Sequence, residues 1–510
     1  MKMNKKRGLI WTIILSIGLL AASCSSPQEK KAITLYKTQC ASCHLLPAIQ
    51  DLPKHIWENG VLPDMAARMG IIDSTNNPYK GLSFDEQYAI KQTGIYPNKP
   101  QLSLHDWELL KSYIITIAPD SLVSGIDSSS RDELAQFVPR PIRLDSSAGA
   151  FITFLKYDGQ DNSVIIADLN GNLLRRKIKM GETETLTKTG EAITSYTEKN
   201  GFAYITHTGY LNPSEIARGN IQIKSNHTLA QIPIVFHRPV HTLVQDLDED
   251  GQDELVVSEF GNLTGALSLL SKEKDQEYEK KILLNRPGSI RTLSKDMNDD
   301  GKKDLIALTS QGKESIVILY QQNNLEFNAH PVINFSPVYG TSWFELIDYD
   351  GDGHDDIITV HGDNADQSYV QKPYHGLRIH INDGQNRFTE KYFYALNGAT
   401  RVVARDFDQD GDVDFGVLST FPDYKQTPEF SFVYLENENS ENFQFKPYTF
   451  QDSKLGRWLL MDAGDVDKDG DDDIVLSSFT YVFTPVPKEV THLWETSNVD
   501  LMVLENKLVP

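Results

Sequence analysis

Two cysteines and a histidine near the amino terminus form the arrangement whose chemistry is easiest to identify. The segment CASCHLLP places Cys40 and Cys43 three residues apart, and His44 follows directly. Two thiols at this spacing on one helical turn can form thioethers with the vinyl groups of a haem, and the adjacent imidazole can bind its iron. A zinc site would need a second ligand pair at metal-ligand spacing, and none follows. We therefore expect covalently bound haem c at Cys40, Cys43 and His44.

The second axial ligand of this haem is expected from a pair of methionines. Between residues 24 and 179 the only methionines are Met65 and Met69, in VLPDMAARMG. Pro63 suits the first turn of a helix and Gly70 its end, so the two methionines should lie one turn apart on one helix face. Methionine ligation would give a closed electron-transfer centre. The alternative is that both methionines are core residues and that a histidine, His55 or His105, is the ligand.

Two helical patterns flank these ligands. KKAITLYKTQ precedes the cysteines, and SLHDWELLKSYIITIA, with Ser103 as a candidate cap, follows the methionines. Together they resemble a small class I c-type cytochrome over residues 24–118, and the resemblance implies single-electron transfer. In that family the axial methionine often follows a proline, which favours Met65 over Met69.

An acidic nine-residue pattern recurs five times in the second half of the chain. Its copies begin at Asp246, Asp296, Asp348, Asp406 and Asp465, at intervals of 50 to 59 residues. Each copy has side-chain oxygens at positions 1, 3, 5 and 9 and a glycine at position 6, so the oxygens can converge on a hard cation while the glycine allows a sharp turn. Position 12 never carries the glutamate of an EF-hand loop, and strand-like runs such as DIITVHG follow instead. The pattern therefore predicts about five Ca²⁺ sites in loops between β-strands.

The predicted calcium sites include positions 1, 3, 5, 7 and 9 of every copy. They are Asp246, Asp248, Asp250, Gln252 and Glu254; Asp296, Asn298, Asp300, Lys302 and Asp304; Asp348, Asp350, Asp352, His354 and Asp356; Asp406, Asp408, Asp410, Asp412 and Asp414; and Asp465, Asp467, Asp469, Asp471 and Asp473.

The repeats resemble the FG-GAP or VCBS repeats of integrin-like β-propellers, in which calcium loops join the first and second strands of the blades. The resemblance implies an all-β propeller over residues 137–510. The stretch from Phe137 to Pro239 leaves room for two blades without the acidic pattern. These two blades and the five blades with acidic loops predict a propeller of seven blades, with six or eight as the alternatives. The fold class is thus a small all-α cytochrome c domain followed by a propeller, joined by a polar linker at residues 119–136.

The first 24 residues carry an export pattern. Residues 1–23 join the basic MKMNKKR to the apolar GLIWTIILSIGLLAAS. The end of this segment, LLAASC, resembles the lipobox of bacterial lipoproteins, which implies removal of the signal and lipidation of Cys24. Ser25 and Ser26 follow without the aspartate that commonly retains such lipoproteins at the inner membrane, so an outer-membrane anchor, on the periplasmic side or the cell surface, is expected. Ordinary secretion is the alternative.

Three functional classes fit these features. The first is an exported, lipid-anchored electron carrier that serves a redox partner protein, is not itself an enzyme, and uses the propeller as a docking or binding scaffold. The second is a catalytic, dehydrogenase-like propeller that passes electrons to the cytochrome, and the third is adhesion to a protein or glycan ligand. The first is favoured, because no catalytic constellation supports the second and the third leaves the haem unexplained. A net charge of −22 argues against nucleic-acid binding.

Insertions in the last three blades supply candidate contact residues for a ligand on one propeller face. These residues are Tyr369, Tyr374, His375, Tyr424, Tyr481, His492 and Trp494. Docking of the cytochrome, or capping of the propeller, is the alternative role for these loops.

Overall fold

The computed structural model describes residues 26–74, 76–123, 125, 131–225, 228–272, 276–363, 370–482 and 484–508. The predicted export segment, Cys24 and Tyr369 lie outside these residues, as does part of the predicted linker. Within the described residues, no helix is both long enough and apolar enough to cross a membrane.

A helical unit forms the first part of the described chain. Its main helices are α1 (Pro27–Gln39), α2 (Lys54–Ile56, continuing through Trp57–Val61 into Leu62–Arg68), α3 (Phe84–Thr93) and α4 (Leu104–Ile117), with a 3₁₀ turn at Ile49–Asp51. Ser26, Ser83 and Ser103 cap α1, α3 and α4 by accepting backbone N–H groups of the first turn. Ser103 therefore has the capping role that its position in the sequence predicted.

Helix α2 contains a wide turn just before its methionines. The segment Trp57–Val61 is a π-helical turn, and Pro63 follows within the first two residues of Leu62–Arg68. Proline has no N–H to donate and its ring crowds the carbonyl four residues earlier, here that of Asn59, which accounts for the widening. The helix ends at Arg68, and Gly70 follows its cap with a φ of 74°, at a place where a Cβ would lie only 2.5 Å from the carbonyl oxygen of Lys99.

Seven β-sheets follow in the described residues, six with four strands and one with five, so the predicted count of seven blades is confirmed. Blade 1 contains β3 (Ile152–Asp158), β4 (Ser163–Asp168), β5 (Asn172–Lys177) and β6 (Glu182–Lys188); blade 2 contains β7 (Ile193–Lys199), β8 (Phe202–His207), β9 (Asn220–Lys224) and β10 (Leu229–Gln231). Blade 3 contains β11 (Pro239–Gln245), β12 (Glu254–Glu259), β13 (Ala266–Ser271) and β14 (Glu279–Leu284); blade 4 contains β15 (Ser289–Lys295), β16 (Asp304–Thr309), β17 (Ser315–Gln321) and β18 (Phe327–Asn334).

The remaining blades use strands from both ends of the propeller sequence. Blade 5 contains β19 (Thr341–Ile347), β20 (Asp356–His361), β21 (Gly376–Asn382) and β22 (Phe388–Ala395). Blade 6 contains β23 (Ala399–Arg405), β24 (Asp414–Ser419), β25 (Phe432–Asn439) and β26 (Gln444–Thr449), with β1 (Asp132–Glu133) added in parallel at its outer edge. Blade 7 contains β27 (Trp458–Gly464), β28 (Asp473–Ser478), β29 (Leu501–Asn506) and, as its outer strand, β2 (Phe137–Ile142); helix α5 (Lys488–Ser497) lies between β28 and β29.

The position of a strand in its blade explains its residue pattern. The first strands contact one another around the ring, from β3 through β7, β11, β15, β19, β23 and β27 back to β3. The second strands of blades 3 to 7 are buried at every residue, and they read as continuous apolar runs such as DLIALT. Outer strands such as β18 are mostly exposed along their middle because they lie at the rim.

Candidate functional sites

Each of the five acidic loops joins the first strand of a blade to its second strand. They occur in blades 3 to 7, and shorter turns take their place in blades 1 and 2. Because all five are the same connection, they lie on one face of the propeller. The connections from second to third strands lie on the opposite face.

The backbone of each loop is wrapped around the first aspartate. In blade 5, Asp348 accepts the N–H of Asp352 at 3.0 Å on Oδ1 and the N–H of Gly353 at 2.9 Å on Oδ2. The corresponding glycine N–H bonds occur in all five loops, at 2.8 to 3.3 Å. The position-6 glycines have φ between 82° and 103°, which only glycine adopts readily. The glycine in the repeat is therefore required by the backbone.

Position 4 also has a positive φ, which the sequence did not indicate. Its residues have φ between 59° and 73°; they are Glu249, Asp299, Gly351, Gln409 and Lys468. Four of the five are not glycine, so the residue types carry no common signal for the left-handed conformation.

Four of the five loops bring three carboxylates together. One oxygen from each member lies within 4.8 Å of the others in these groups: Asp246, Asp248 and Asp250; Asp348, Asp350 and Asp356; Asp406, Asp408 and Asp410; and Asp465, Asp467 and Asp473. Converging carboxylate oxygens are the ligands that Ca²⁺ prefers. The pKa of Asp412 is raised to about 6, mainly by burial and secondly by the negative charge of Asp410. Neighbouring carboxylates in this loop therefore oppose the ionisation of one another. The donor sets therefore fit a divalent cation.

The loop of blade 4 differs because Asn298 replaces the carboxylate at position 3. Desolvation acts to raise the pKa of Asp296, but the N–H groups of Gly301, Asn298 and Asp300 outweigh it, and the pKa is lowered. At positions 1, 3, 5 and 9 this loop therefore has one fewer carboxylate to repel its neighbours than the other four loops have.

The residues at position 9 connect the acidic loops to the blade interior. Asp356 is 1% exposed, and its carboxylate accepts the N–H of Tyr349 at 2.9 Å and, across the blade, the N–H of Asn382 at 2.8 Å. Asp304, Asp414 and Asp473 make the same pair of bonds, while Glu254 makes only the first. Burial raises the pKa of Asp356 to about 6 and that of Glu254, Asp414 and Asp473 to about 7. Position 9 thus ties each loop to the fold as well as adding negative charge.

Position 7 contributes no side chain to the carboxylate groups. Its residues are Gln252, Lys302, His354, Asp412 and Asp471. All five residues have a backbone carbonyl oxygen, which is the ligand that position 7 supplies in EF-hand calcium loops.

The cysteine–histidine segment lies at the end of α1. Cys40 caps the helix and is partly buried, Cys43 is exposed, and both are free thiols. Burial raises the pKa of the Cys40 thiol to about 11, which is unlike the lowered pKa of a reactive redox cysteine. The Nδ1 atom of His44 lies 2.7 Å from the carbonyl oxygen of Leu45, so Nδ1–H can donate there and leave Nε2 free to bind a metal. These features fit a haem attachment site.

Both candidate methionines pack into the same core as Cys40. Met69 is 9% exposed at the end of α2, and Met65 is partly buried at the edge of this core. The alternative ligands His55 and His105 are exposed and lie outside it. The structure therefore places both methionine side chains, rather than these imidazoles, in the cluster that includes Cys40.

A cavity of about 220 Å³ adjoins the cysteine–histidine segment. One side is formed by residues 41–45 and the other by the propeller residues Lys313, Glu314, Asn334 and Phe335. Nothing in the sequence indicates these four residues, because their proximity to His44 depends on how the helical unit packs against blades 4 and 5.

The candidate contact residues of the last three blades separate into three groups. Tyr374 packs against the core of the helical unit, and its neighbour His375 is fully buried. Tyr424 and Trp494 pack edge to face with ring centroids 5.5 Å apart, and Trp494 is buried. Tyr481 and His492 are exposed and available to a ligand.

Comparisons with known proteins agree with the repeat architecture. The family model described as an FG-GAP-like repeat matches residues 296–359, from the acidic loop of blade 4 to the second strand of blade 5. No curated protein matches this sequence. The chain is similar to the structure of the periplasmic gluconolactonase PpgL of Pseudomonas aeruginosa, with a TM-score of 0.40 and 12% identity, over 59% of this chain and 84% of that chain. The described residues thus form a seven-bladed propeller, of which residues 296–359 match an FG-GAP-like repeat.

Proposed function

We propose that the protein is an exported, lipid-anchored electron carrier with one haem c in its helical unit and a calcium-stabilised propeller as a docking or binding scaffold. The observation that carries this proposal is that Cys40 and the two methionines pack in one core, while Cys43 and His44 follow Cys40 directly in the sequence. When bound, the haem supplies single-electron transfer.

Each residue of the haem site has a distinct role in this proposal. The thiols of Cys40 and Cys43 would hold the haem covalently, and His44 would offer Nε2 to its iron because Nδ1 faces the carbonyl of Leu45. Met65 would supply the second side-chain ligand of the iron. It is only partly buried, so its thioether could turn towards the iron without leaving a cavity in the core, whereas Met69 fills the core itself.

The calcium sites are proposed to stabilise the propeller permanently. Each loop already directs backbone N–H groups onto its first aspartate, and position 9 links the loop to the blade. A cation that neutralises the carboxylates binds the folded loop better than the unfolded chain, so its binding free energy adds to folding.

The proposed location follows from the sequence of the exported segment. Lipidation at Cys24 would attach the protein to the outer membrane, and a redox partner protein would exchange electrons with it there.

Haem attachment and anchoring can be tested separately. The protein is produced together with a cytochrome c maturation system and stained for haem after denaturing electrophoresis. The wild-type protein should stain, and Cys40→Ala combined with Cys43→Ala should not. The matched control, Cys24→Ala, should keep its haem but leave the membrane fraction. A stained double variant would contradict the proposed attachment.

A further inference from the structure

We propose that the propeller forms the second wall of the haem site, so that the haem lies between the two units rather than within the helical unit alone. This wall consists of Lys313, Glu314, Asn334, Phe335, Val338, Tyr339 and Tyr374. The inference rests on the proposed function, because it requires a haem attached at Cys40 and Cys43.

The cavity beside the attachment residues is the first argument. Cys43 and His44 line it from the helical unit, and Lys313 and Phe335 line it from blade 4. A group bonded to Cys43 and His44 would border this cavity, whose other side is formed by propeller residues.

A continuous apolar core is the second argument. Val338, in the connection between blades 4 and 5, is buried in the same cluster as Leu52, Trp57 and Met69 of the helical unit. Tyr339 and Tyr374 pack at the edge of this cluster, as Cys40 and Met65 do. The side chains that would surround a haem therefore come from both units.

The wall is held rigidly by the propeller. Tyr339 and Tyr374 stack with ring centroids 5.2 Å apart, and the guanidinium of Arg378 lies 4.6 Å from the Tyr339 ring while it donates to the carbonyl of Tyr374 at 2.9 Å. Glu314 is buried and accepts the N–H and hydroxyl of Thr341 at 3.0 and 2.7 Å. The surface facing the helical unit is therefore preorganised.

A second contact fixes the orientation of the helical unit. Glu86, at the start of α3, accepts the hydroxyl of Ser214 at 2.7 Å and the N–H of Glu215 at 2.5 Å in blade 2. Glu215 is in turn held by the N–H groups of Leu263 and Thr264, at 2.9 and 3.1 Å. Contacts with blades 2 and 5 hold the cysteine–histidine segment over blade 4.

The charge of Lys313 provides the test. A positive charge close to the haem disfavours the oxidised form, so Lys313→Glu should lower the midpoint potential of the haem. The matched control is Lys488→Glu, which makes the same charge change at an exposed residue of the same propeller face, in α5 of blade 7. Midpoint potentials are measured by redox titration of the full-length, calcium-loaded protein.

The outcomes separate the two proposals. A lower potential in Lys313→Glu with little change in Lys488→Glu supports the propeller wall. If Lys313→Glu does not fold, Lys313→Gln replaces it, and we expect a smaller decrease of the potential. An unchanged potential in both Lys313 variants, or equal shifts at the two sites, overturns the wall while leaving haem attachment intact. Wild-type protein without covalent haem overturns the proposed function itself, and the wall with it.

Discussion

The hydroxyl of Tyr374 in blade 5 donates a hydrogen bond of 2.8 Å to the backbone carbonyl of Asp51 in the helical unit. Tyr374 belongs to a long connection on the propeller face opposite the acidic loops. At least part of that face is therefore occupied by the protein's own helical unit. The exposed Tyr481 and His492 remain available for other ligands.

Loss of this hydrogen bond should weaken the contact between the units. Tyr374→Phe leaves the Asp51 carbonyl without its protein donor, and we expect a loss of about 1 kcal/mol in the free energy of unfolding of the helical unit. Haem absorbance during denaturant unfolding reports this unit. Tyr481→Phe, at an exposed tyrosine of the same face, should change stability by less than about 0.5 kcal/mol. Equal effects of the two substitutions would contradict a specific contact.

Removal of calcium should lower the unfolding temperature of the propeller. Without a cation, the grouped carboxylates of blades 3, 5, 6 and 7 repel one another. Extracellular calcium modules typically bind with dissociation constants of about 10⁻⁴ to 10⁻³ M, so a chelator should empty such sites readily. Calorimetry with and without chelator measures the change. A propeller transition at the same temperature in both conditions would contradict structural calcium.

The loop of blade 4 allows a substitution whose effect changes sign with calcium. Asn298→Asp adds the carboxylate that the other four loops have at position 3. It should increase stability and calcium affinity when Ca²⁺ is present, and decrease stability with a chelator, because the new charge then opposes Asp296 and Asp300. Thermal unfolding in both conditions and calcium titration give these quantities. The same sign of change in both conditions would show that no cation binds there.

The position-9 acids should matter even without calcium. Asp414 accepts the N–H of Asn437 at 2.8 Å and of Phe407 at 3.2 Å, and the hydroxyl of Tyr434 at 2.7 Å. Asp414→Ala leaves these buried donors unsatisfied, and we expect a loss of about 2 to 4 kcal/mol in the chelated protein, measured by denaturant unfolding. Glu438→Ala, at an exposed acid of the same blade, is the control and should have little effect. A loss seen only with calcium present would assign Asp414 to metal binding alone.

Acid should destabilise the propeller through its buried histidines. Burial lowers the pKa of His361 and His375 well below the ordinary value and that of His380 to about 3. These residues stabilise the fold above the pKa of an unfolded histidine, about 6.5, and that contribution is lost as the pH falls below it, at up to about 1.4 kcal/mol per pH unit for each residue. Unfolding between pH 7 and pH 5 in excess calcium measures the slope.

His375 tests this pH dependence most directly. In the described part of the chain neither ring nitrogen of His375 has a hydrogen-bond partner, so His375→Leu removes a titrating group without breaking a bond. It should reduce the loss of stability at low pH, whereas His492→Leu, at an exposed histidine, should not. An unchanged slope in His375→Leu would show that the pKa of His375 is not lowered in the folded protein.

The repeats allowed the propeller to be predicted because they carry a local requirement five times over. Gly353 and its equivalents occupy a backbone conformation that glycine adopts easily, and the carboxylates around each glycine have a fixed spacing. Five copies at one interval determine the blade length, and the remaining sequence then determines the number of blades. Pro63 and Gly70 indicated the ends of the helical segment Leu62–Arg68 for the same local reason. The π-helical turn that joins this segment to the earlier part of α2 was not anticipated.

The features that were not predicted depend on contacts between distant segments. Nothing near Glu314 or Phe335 in the sequence indicates that they line a cavity with His44, because that contact arises only when the helical unit packs on the propeller. The role of Asp356 in holding the N–H of Asn382 was likewise hidden, since the repeat alone indicated a metal ligand.

The pairing of β2 with β29 in blade 7 has a consequence for the order of folding. Residue Phe137 lies opposite Asn506, so the outer strand of this blade has no partner until β29 has left the ribosome. Blades 1 to 6 can form from neighbouring segments, but closure joins segments that are far apart in sequence and is expected to be slow. Until then the edge of β28 is unpaired and can associate with other chains. Loss of only the final strand would therefore open the entire ring, although most of the molecule would still be present.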